Sequence, residues 1–513
     1  MSLEGAARVV SELASRGYNA DREAVTLLAN ATDLDAALDR AVEQAPDDAL
    51  KVSSEHVHAA LDATGAPGSP PTPAGHTGDS TEPDDPASNP SVSTATDRGD
   101  TSNGGGGPPV ETGGLAAVET SGDVASTGTG QYRDFQAVFR DRYEKLSGHL
   151  RSRVNHRPAA TIADMSPGSD AALVGLVSDI RSTAGGHWLV ELEDTTGVFP
   201  CLVMSDREFA DDVRELLYDE VVAVEGTLAD DGGILFVDDL HVPDIPRTHT
   251  PSTADRPVRA ALVSDVHVGS QEFRADAWAG FADWLHTEEA ADVEYLLVGG
   301  DMVEGIGVYP DQDEELDIVD IYDQYERFSE HLKSVPGDME VVMIPGNHDA
   351  VRLAEPQPAF DEELRSIMSA HDAEIAANPA TVTVEGVTVL MYHGVSLDEV
   401  IAELPDEAAS YDRPHEAMYQ LLRKRHVAPQ YGGRTRLAPE EVDHLVIEEV
   451  PDIFHAGHVH KLGYGKYHGV LTVNSACWQS QTAFQESVNL EPDVGYAPIV
   501  DLETLDLTVR KFV

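Results

Sequence analysis

The chain has 513 residues, enough for about three domains of ordinary size with some chain left for connections. It carries 92 acidic against 34 basic residues, a formal net charge of −58. Self-repulsion of this size destabilises a compact fold unless concentrated salt screens it, so the composition indicates a high-salt cytoplasm rather than a basic ligand. The general rule that nucleic-acid-binding proteins are basic must therefore be applied locally.

The composition also argues against secretion and membrane insertion. The N-terminus, MSLEGAARVV, has no basic segment followed by an apolar core, and no uncharged run approaches the ~18 apolar residues of a membrane span. Cys201 and Cys477 are far apart and match no zinc or redox spacing, which fits a reducing cytoplasm. We expect Cys477 to be a small buried apolar group.

The first quarter of the chain predicts a small folded unit followed by a connection. Residues 1–62 show apolar residues at helical spacing, as in Val9, Val10 and Leu13, and predict a small helical bundle. Residues 63–130 are rich in Gly, Pro, Ser, Thr and Asp and nearly lack large apolar groups. Such a segment cannot bury enough surface to offset its chain entropy, so we expect a disordered linker.

Residues 131–250 predict a helix followed by a small β-barrel. Five short strands are separated by turn signals, with a helix-like piece before the fourth, which is typical of an OB-fold. Such barrels often bind single-stranded nucleic acid through cations and aromatic side chains. This segment offers as cations only Arg181, Arg207 and Arg214, so a docking or structural role is favoured over DNA binding.

Residues 251–513 alternate strands with helical stretches, which completes a multidomain α/β protein. Five of these strands end in blocks of metal-type ligands, namely SDVH, GGDMVEG, GNHD, MYHG and GHVH. The ends of successive strands meet at one edge of an open α/β sheet, where its crevice forms. The candidate metal ligands are Asp265, His267, Asp301, Asn347, His393, His458 and His460.

These seven side chains are enough to hold two divalent cations. In a strand, residues two apart share a face, so Asp265 and His267 can reach the same ion. Asp301 follows Gly299 and Gly300, which allow a sharp turn, and its carboxylate can bridge two cations. A mixed nitrogen and oxygen set without thiolates favours manganese, iron or zinc over magnesium or calcium, with manganese the first choice.

Two such ions can polarise a phosphate and stabilise an in-line displacement. His348, next to Asn347, is a candidate to protonate the leaving oxygen, and Asp349 a candidate to orient His348. A single histidine is more often a hydrogen-bonded core residue than a ligand, and only the five blocks together support a metal site. The histidines that we interpret as ordinary surface or packing residues are His371, His415, His444, His455 and His468.

A local basic run offers a second signal. The segment from Leu421 to Arg436 contains five cations and no acidic residue, which suggests an anionic ligand such as DNA. The candidate DNA contacts are Arg423, Lys424, Arg425, Arg434, Arg436 and Tyr431. A salt-bridged surface facing a partner protein or the acidic flank at 438–450 explains the run equally well. Tyr431 and Trp478 can stack an unpaired base, or belong to a core or an interface.

The order and wording of the five blocks resemble the calcineurin-like metallophosphoesterase superfamily across about 256–513, which implies a four-layer α/β domain. The resemblance implies that one ion is held by Asp265, His267, Asp301 and His460. It implies that the other ion is held by Asp301, Asn347, His393 and His458. It also implies that His348 is the catalytic histidine. Glu304 departs from the aspartate that many relatives carry after GD, which leaves the ligand count intact.

The run LLRKRHVAPQYGGRTRLAPEEVDHLVIEEVPDIFHAGHVH, followed by YHGVLTVNSACWQSQTAFQ, resembles the small subunits of archaeal family D DNA polymerases, as does the order of domains. This implies a proofreading 3′→5′ exonuclease with two divalent cations (manganese, or else iron, zinc or magnesium) that acts on DNA 3′ ends beside a large polymerising subunit. The helical unit is expected to reach other replication factors. Alternatives are a non-catalytic scaffold for the large subunit, and a stand-alone repair nuclease or phosphatase.

Overall fold

The computed structural model describes residues 128–309, 312–368 and 373–513, together with shorter stretches nearer the N-terminus. Those stretches are residues 9, 12–13, 19–20, 22–31, 34–44, 51–52, 54–62, 115–120 and 124. Most of the predicted linker, 63–130, and the position of His371 therefore lie outside the described residues. Within the described part of the chain, no helix combines the length and the apolarity that crossing a membrane requires.

The N-terminal stretches form three short helices around a small apolar core. The helices are α1 (Arg22–Ala29), α2 (Leu34–Gln44) and α3 (Ser54–Asp62), and a two-residue parallel pair joins β1 (Asn19–Ala20) to β2 (Lys51–Val52). Val9, Leu13 and Leu28 are fully buried in this core, as expected from their helical spacing. Ile306 and Val319, from the α/β region, pack against the same cluster.

One stretch of the segment predicted as a linker is a β-strand. Residues Leu115–Thr120 form β3, which pairs antiparallel with β13 (Ala380–Val384) at the edge of a sheet. The prediction of a disordered chain over 63–130 is therefore wrong at 115–120. LAAVET carries apolar and β-branched residues that suit an edge strand, and its pairing partner lies more than 250 residues away in sequence.

Next along the chain, two helices lead into a closed five-stranded barrel. The helices are α4 (Tyr132–Arg151) and α5 (Ala159–Ala163), and the barrel has the strand order β4-β5-β6-β8-β7. The strands are β4 (Asp170–Ser182), β5 (Trp188–Asp194), β6 (Gly197–Val203), β7 (Val221–Leu228) and β8 (Leu235–His241). All five predicted strands are present, and the helix-like piece between β6 and β7 is a short 3-10 turn at Asp212–Glu215.

The remainder is built on two six-stranded sheets. The first has the order β12-β11-β10-β9-β18-β19, with parallel pairing from β12 to β9. Its strands are β9 (Arg259–Val263), β10 (Val293–Val298), β11 (Glu340–Met343), β12 (Glu374–Ile375), β18 (Tyr496–Asp501) and β19 (Asp506–Lys511). The second has the order β16-β17-β15-β14-β13-β3. Its remaining strands are β14 (Val387–Met391), β15 (Ile453–Ala456), β16 (Leu462–Tyr467) and β17 (Val470–Ser475).

Three apolar clusters hold these sheets together. One joins the sheets face to face, with Leu262 and Leu297 from the first and Val389 from the second. Another lies between the first sheet and the helices α6 (Ala275–Leu285) and α7 (Ile321–Leu332). The third lies between the second sheet and α9 (Leu397–Glu403) with α10 (Pro414–Lys424). The short helices α8 (Glu362–Ile367) and α11 (Ala483–Ser487) complete this region.

Candidate metal centre

The structure brings the seven candidate ligands to one edge of the paired sheets. Asp265 and His267 follow β9, Asp301 follows β10, and Asn347 follows β11. In the second sheet His393 follows β14, and the pair His458 and His460 follows β15. The parallel strands within each sheet run in the same direction, so these loops meet, as the strand-end pattern predicts.

The first group of donors comprises Asp265, His267 and His460, all buried. Nε2 of His460 lies 3.0 Å from Nε2 of His267 and 3.4 Å from Oδ1 of Asp265. Nε2 of His267 is 3.9 Å from Oδ1 of Asp265 and 3.8 Å from Oδ2 of Asp301. The spacing leaves room for a small cation among the four side chains.

The second group comprises Asp301, Asn347, His393 and His458. Nε2 of His393 lies 3.2 Å from Oδ2 of Asp301 and 3.1 Å from Oδ1 of Asn347. Oδ2 of Asp301 faces both groups, because the same atom lies near His267 and His393. His458 also contacts Oδ2 of Asp398 at 3.3 Å, a carboxylate that no sequence signal had indicated.

Five of the seven candidates have left-handed backbone conformations. Their φ angles are 52° at Asp265, 57° at His267, 52° at Asp301, 71° at His458 and 53° at His460. Each such residue costs on the order of 1–3 kcal/mol, and residues of this kind cluster at active sites and ligand-binding sites. The fold therefore holds the candidate ligands in place at an energetic cost.

The hydrogen bonds around the imidazoles favour a cation between the groups. Nδ1 of His393 lies 2.9 Å from the carbonyl oxygen of Gly299, so this nitrogen carries the proton and donates it. In the neutral ring Nε2 then carries a lone pair facing the oxygens of Asp301 and Asn347, which are also electron-pair donors. Burial disfavours protonation of His393, yet the nearby Asp301 raises its pKa to about 10, so without a cation this ring itself carries the positive charge that offsets the carboxylate.

Glu304 organises the first group without being one of the seven. Its Oε2 lies 2.9 Å from Nδ1 of His267 and accepts from Nε2 of Gln479 at 2.7 Å. Its Oε1 accepts from the hydroxyl of Tyr309 at 3.0 Å. Burial alone would raise the pKa of Glu304, but the charge of His267 lowers it to about 2, so Glu304 is an anion that orients this imidazole.

The two candidate catalytic residues occupy different environments. The ring of His348 is partly buried, lines the cavity beside Asp301, and places Nδ1 2.7 Å from the carbonyl oxygen of Glu304. The carboxylate of Asp349 is buried and accepts from the hydroxyl of Tyr325 at 3.0 Å and from the backbone of Gly346 at 2.8 Å. Asp349 therefore fixes the loop, and the expectation that it orients the His348 ring is wrong.

A cavity of about 290 Å³ opens beside these donors. The candidate metal-site residues that line it are His267, Asp301, Glu304, His348, His458 and His460. Arg434 and Tyr411 lie on its rim together with the apolar side chains of Phe484, Val488 and Leu490. Sequence reasoning missed these apolar residues, because an aromatic residue in a short helix usually signals a core position.

Three members of the basic run are used inside the protein. Arg423 pairs with Glu215, and Lys424, with a side chain 2 % exposed, lies 3.3 Å from the buried Glu220. Arg425 is buried and donates to the carbonyl oxygen of Ile447 at 2.7 Å. Since Glu215 and Glu220 both belong to the barrel segment, Arg423 and Lys424 join the barrel to α10. Lys424 and Arg425 are buried, so the expectation that they contact DNA is wrong. For Arg423, whose side chain is 22 % exposed, the pair with Glu215 favours the salt-bridge alternative.

The other candidate DNA contacts divide into exposed and buried residues. Arg434 and Arg436 are exposed, and Arg434 lines the cavity. Tyr431 is 46 % exposed and its ring centroid lies 5.3 Å from that of Phe135, on α4. Trp478 is fully buried in the core of the first sheet, so it is a packing residue and not a stacking surface.

The four described histidines that were predicted to be surface or packing residues are buried or half-buried. His455 is buried and contacts the hydroxyl of Ser475 at 2.9 Å, and burial lowers its pKa to about 3. Those half-buried are His415, His444 and His468. Cys201 and Cys477 are both buried free thiols, as expected for Cys477.

Comparison with known proteins identifies the family. A family model for the alpha/epsilon B-type subunits of DNA polymerases matches residues 261–462, which contain all seven candidate ligands. A DNA polymerase II small subunit of Halobacterium salinarum is 65 % identical over the full length of both chains. Those of Archaeoglobus fulgidus and Pyrococcus furiosus are 44 % and 38 % identical, covering 71 % and 72 % of this chain and 74 % and 62 % of theirs. The chain therefore belongs to the family of DNA polymerase II small subunits, the small subunits of family D polymerases.

Proposed function

We propose that this chain is the small, proofreading subunit of a heterodimeric replicative DNA polymerase and that its α/β region is a two-metal 3′→5′ exonuclease. The observation that carries the proposal is the convergence of seven nitrogen and oxygen donors into two adjacent groups, with Oδ2 of Asp301 near His267 of one group and His393 of the other. The donor set contains imidazole, carboxylate and amide groups without thiolate, which suits manganese first, then iron or zinc, with magnesium a further alternative. The chemistry that two such cations supply when bound is Lewis-acid polarisation of a phosphodiester and activation of water.

His348 is the proposed proton donor. Since its Nδ1 donates to the carbonyl oxygen of Glu304, Nε2 is the atom left to hold a proton for the departing 3′ oxygen. The ring is 15 % exposed and lines the cavity, where a substrate phosphate would lie. His348 also receives support through its backbone, which donates to Oδ1 of Asp301 at 2.8 Å. Asp301, which would help to hold the cations, thereby also fixes the backbone at His348.

The finer fold assignment supports this function. We assign 1–62 to a helical domain, 63–130 to a linker that contributes β3, 131–250 to a helix with an OB-fold barrel, and 251–513 to a four-layer calcineurin-like phosphoesterase domain. The closed five-stranded barrel supports the OB-fold assignment. The two stacked sheets with helices packed on their outer faces support the assignment of a four-layer calcineurin-like phosphoesterase domain.

The test is hydrolysis by the full chain, alone and with its large subunit, in concentrated salt with Mn²⁺. Single-stranded DNA labelled at the 5′ end should be shortened stepwise from its 3′ end. His393→Ala removes a candidate metal ligand beside Asp301 and Asn347 and should abolish shortening, whereas His286→Ala, an exposed histidine outside the cavity, should not. Equal activity in the His393→Ala variant would overturn the assignment.

A second role as a scaffold for the large subunit is favoured by the barrel. The barrel's three cations proposed from sequence are engaged by its own acids: Arg181 with Asp179 and Glu191, Arg207 with Asp238, and Arg214 with Asp211. Such a surface suits protein docking better than single-stranded DNA. Metal-ligand variants that still support full processive synthesis by the heterodimer would establish the scaffold role, and failure of assembly after changes confined to the metal ligands would contradict it.

A further inference from the structure

We propose that the terminal nucleotide of the substrate is held with its base unpaired on an apolar shelf beside the candidate metal centre. The shelf comprises Phe484, Val488 and Leu490, and it lines the same cavity as the candidate ligands. This inference rests on the exonuclease proposed above and adds what the site recognises. It assigns base recognition to residues other than Trp478 and Tyr431, the two aromatic candidates from the sequence, since Trp478 is buried and Tyr431 packs on α4.

The shelf leaves apolar surface open to solvent next to a cluster of buried acids and histidines. Phe484 is 48 % exposed and Val488 is 58 % exposed. Exposed apolar surface that lies in a cavity, rather than scattered singly, marks a site for an apolar or aromatic group. Every nucleobase has an aromatic face, so a shelf of this kind accepts any base without reading its sequence.

Phe484 is already positioned by one aromatic neighbour. Its ring and that of Tyr309 are stacked, with centroids 5.3 Å apart and an interplanar angle of 24°. The hydroxyl of Tyr309 donates to Glu304 or Glu315, each at 3.0 Å, which holds the Tyr309 ring against rotation out of the stack. A base placed on Phe484 would therefore extend a stack that is anchored on Glu304, the residue that orients His267.

The shelf is also tied directly to a candidate metal ligand. Gln485, the residue after Phe484, contacts Nδ1 of His460 at 2.8 Å with its side-chain amide. The same side chain forms a capping box with Thr482 at the start of α11. The position of Phe484 is thus fixed relative to the donors, so a base on the shelf would place its own phosphate at a constant distance from them.

The surroundings of the shelf fit a nucleotide at the end of a strand. Arg434 lies on the cavity rim, exposed, on a loop whose backbone at Arg434 donates to Glu399 at 3.0 Å, and it can contact a phosphate. An adjoining cavity of about 420 Å³ shares Tyr411, Val488 and Leu490 with the first. The terminal nucleotide would occupy the first cavity, and the nucleotide before it would occupy the adjoining one.

The size of the site favours an unpaired end. At about 290 Å³ the cavity lies near the lower limit of roughly 300 Å³ for ligand pockets, which suits one nucleotide and not a base pair. A base within a duplex is already stacked and hydrogen-bonded, and it must give up both interactions to reach the shelf. A mismatched or frayed base gives up less, so the shelf selects the ends that a proofreading enzyme removes.

The test compares single-stranded substrates that carry a normal 3′-terminal nucleotide or an abasic one. We expect kcat/KM of the unaltered chain to be about tenfold or more higher with the base present, from the usual strength of base–aromatic stacking. Phe484→Ala should lose this preference by cleaving the normal end as slowly as the abasic one, and Phe484→Trp should restore it. Tyr464→Ala, which removes an aromatic side chain 50 % exposed outside both cavities, should keep the preference.

A binding measurement separates this inference from the exonuclease itself. A 3′-terminal 2-aminopurine should be quenched on binding to the His348→Asn chain, and Phe484→Ala in that background should remove the quenching. Quenching without cleavage by any variant would refute the exonuclease and retain the shelf. Cleavage with equal loss on normal and abasic ends in Phe484→Ala, or a loss only of the affinity for the large subunit, would show a structural or protein-docking role and overturn the shelf.

Discussion

Oε2 of Glu304 lies 2.9 Å from Nδ1 of His267, and both residues are 1 % exposed. The carboxylate lies against the Nδ1 side of the His267 ring, and Nε2 on the other side faces Asp265 and Asp301. Glu304 also accepts from Gln479 and Tyr309, so one side chain links a candidate ligand to the cavity wall. Glu304 thus contacts a candidate ligand without belonging to the seven-residue ligand set predicted from sequence.

Glu304→Gln should weaken metal binding without removing a ligand. Loss of such an outer partner typically lowers metal affinity or activity by about 10–100-fold, so exonuclease activity should fall at limiting Mn²⁺ and recover at excess. Titration of activity and of bound metal against Mn²⁺ measures the shift. Glu315→Gln, which alters the other acid contacting Tyr309 but no histidine ligand, is the matched control. Unchanged affinity in Glu304→Gln would refute this role.

His348→Asn should separate metal binding from catalysis. The proposed ligand set does not include His348, so the metal content of the variant should equal that of the unaltered chain. Removal of a general acid typically costs about 10²–10⁴-fold, and we expect kcat to fall by that factor. Elemental analysis and single-turnover kinetics test the two halves. Loss of metal together with activity would place His348 among the ligands instead.

Lys424→Met should destabilise the fold and leave DNA binding unaffected. Lys424 and Glu220 are both almost fully buried, and removing one partner of such a pair typically costs about 3–5 kcal/mol because the other charge is left uncompensated. The double variant Lys424→Met with Glu220→Leu should recover much of the loss. Denaturant unfolding measures these free energies. A weaker affinity for DNA with unchanged stability would restore Lys424 as a DNA contact.

Stability should fall on mild acidification because of His426. This imidazole is buried beside Asp443 and Arg142, and burial, followed by the charge of Arg142, lowers its pKa to about 4 from a usual 6.5. Between pH 6.5 and pH 4 the unfolded chain binds this proton and the folded chain does not, so the free energy of unfolding decreases as pH falls, by at most about 3 kcal/mol.

The contribution of His426 is measured by difference. His426→Leu keeps the ion pair between Arg142 and Asp443 but has no imidazole to titrate. Its free energy of unfolding should therefore decline less than that of the unaltered chain between pH 7 and pH 5. Parallel curves for the two proteins would show that His426 does not set this dependence.

Divalent cations should raise the unfolding temperature. A ligand at 100 times its dissociation constant stabilises the folded state by about 2.7 kcal/mol, and Mn²⁺ should do so through the candidate site. Chelation should reverse the effect and leave a folded protein, because strand ends and backbone hydrogen bonds such as His458 to Asp265 already hold the donors. Thermal unfolding of His393→Ala should show a smaller shift, and an equal shift would locate the binding elsewhere.

The clustering of the candidate ligands was predictable because its signal is local. Each donor block closes an apolar strand, so the sequence alone places Asp301 and His393 at strand ends, and the structure brings these ends together from the two sheets. The five barrel strands are likewise local patterns bounded by turn residues. The direction in which a loop side chain points was not predictable in the same way. Asp349 stands beside His348 in sequence, yet its carboxylate meets Tyr325, which comes from a helix 24 residues earlier.

The errors concern partners that are distant in sequence. Arg423 and Lys424 look uncompensated among their neighbours, but their acids Glu215 and Glu220 lie more than 200 residues earlier. Strand β3 looks like linker because its hydrogen-bonding partner is supplied by a later sheet. Phe484 was overlooked for the opposite reason, since no local pattern distinguishes an exposed aromatic residue from a buried one.

The ion pair between Arg142 and Asp443, at 2.7 Å and with both side chains buried, lies where counterions cannot reach. At 1 M salt the Debye length is about 3 Å, so repulsion among exposed carboxylates is suppressed while this pair keeps its strength. Transfer to dilute buffer therefore increases the repulsion among surface carboxylates and leaves the buried ion pair between α4 and the α/β region unchanged. We expect desalting to lower the free energy of unfolding without first separating α4 from the α/β region. These two regions should therefore unfold together in one cooperative step.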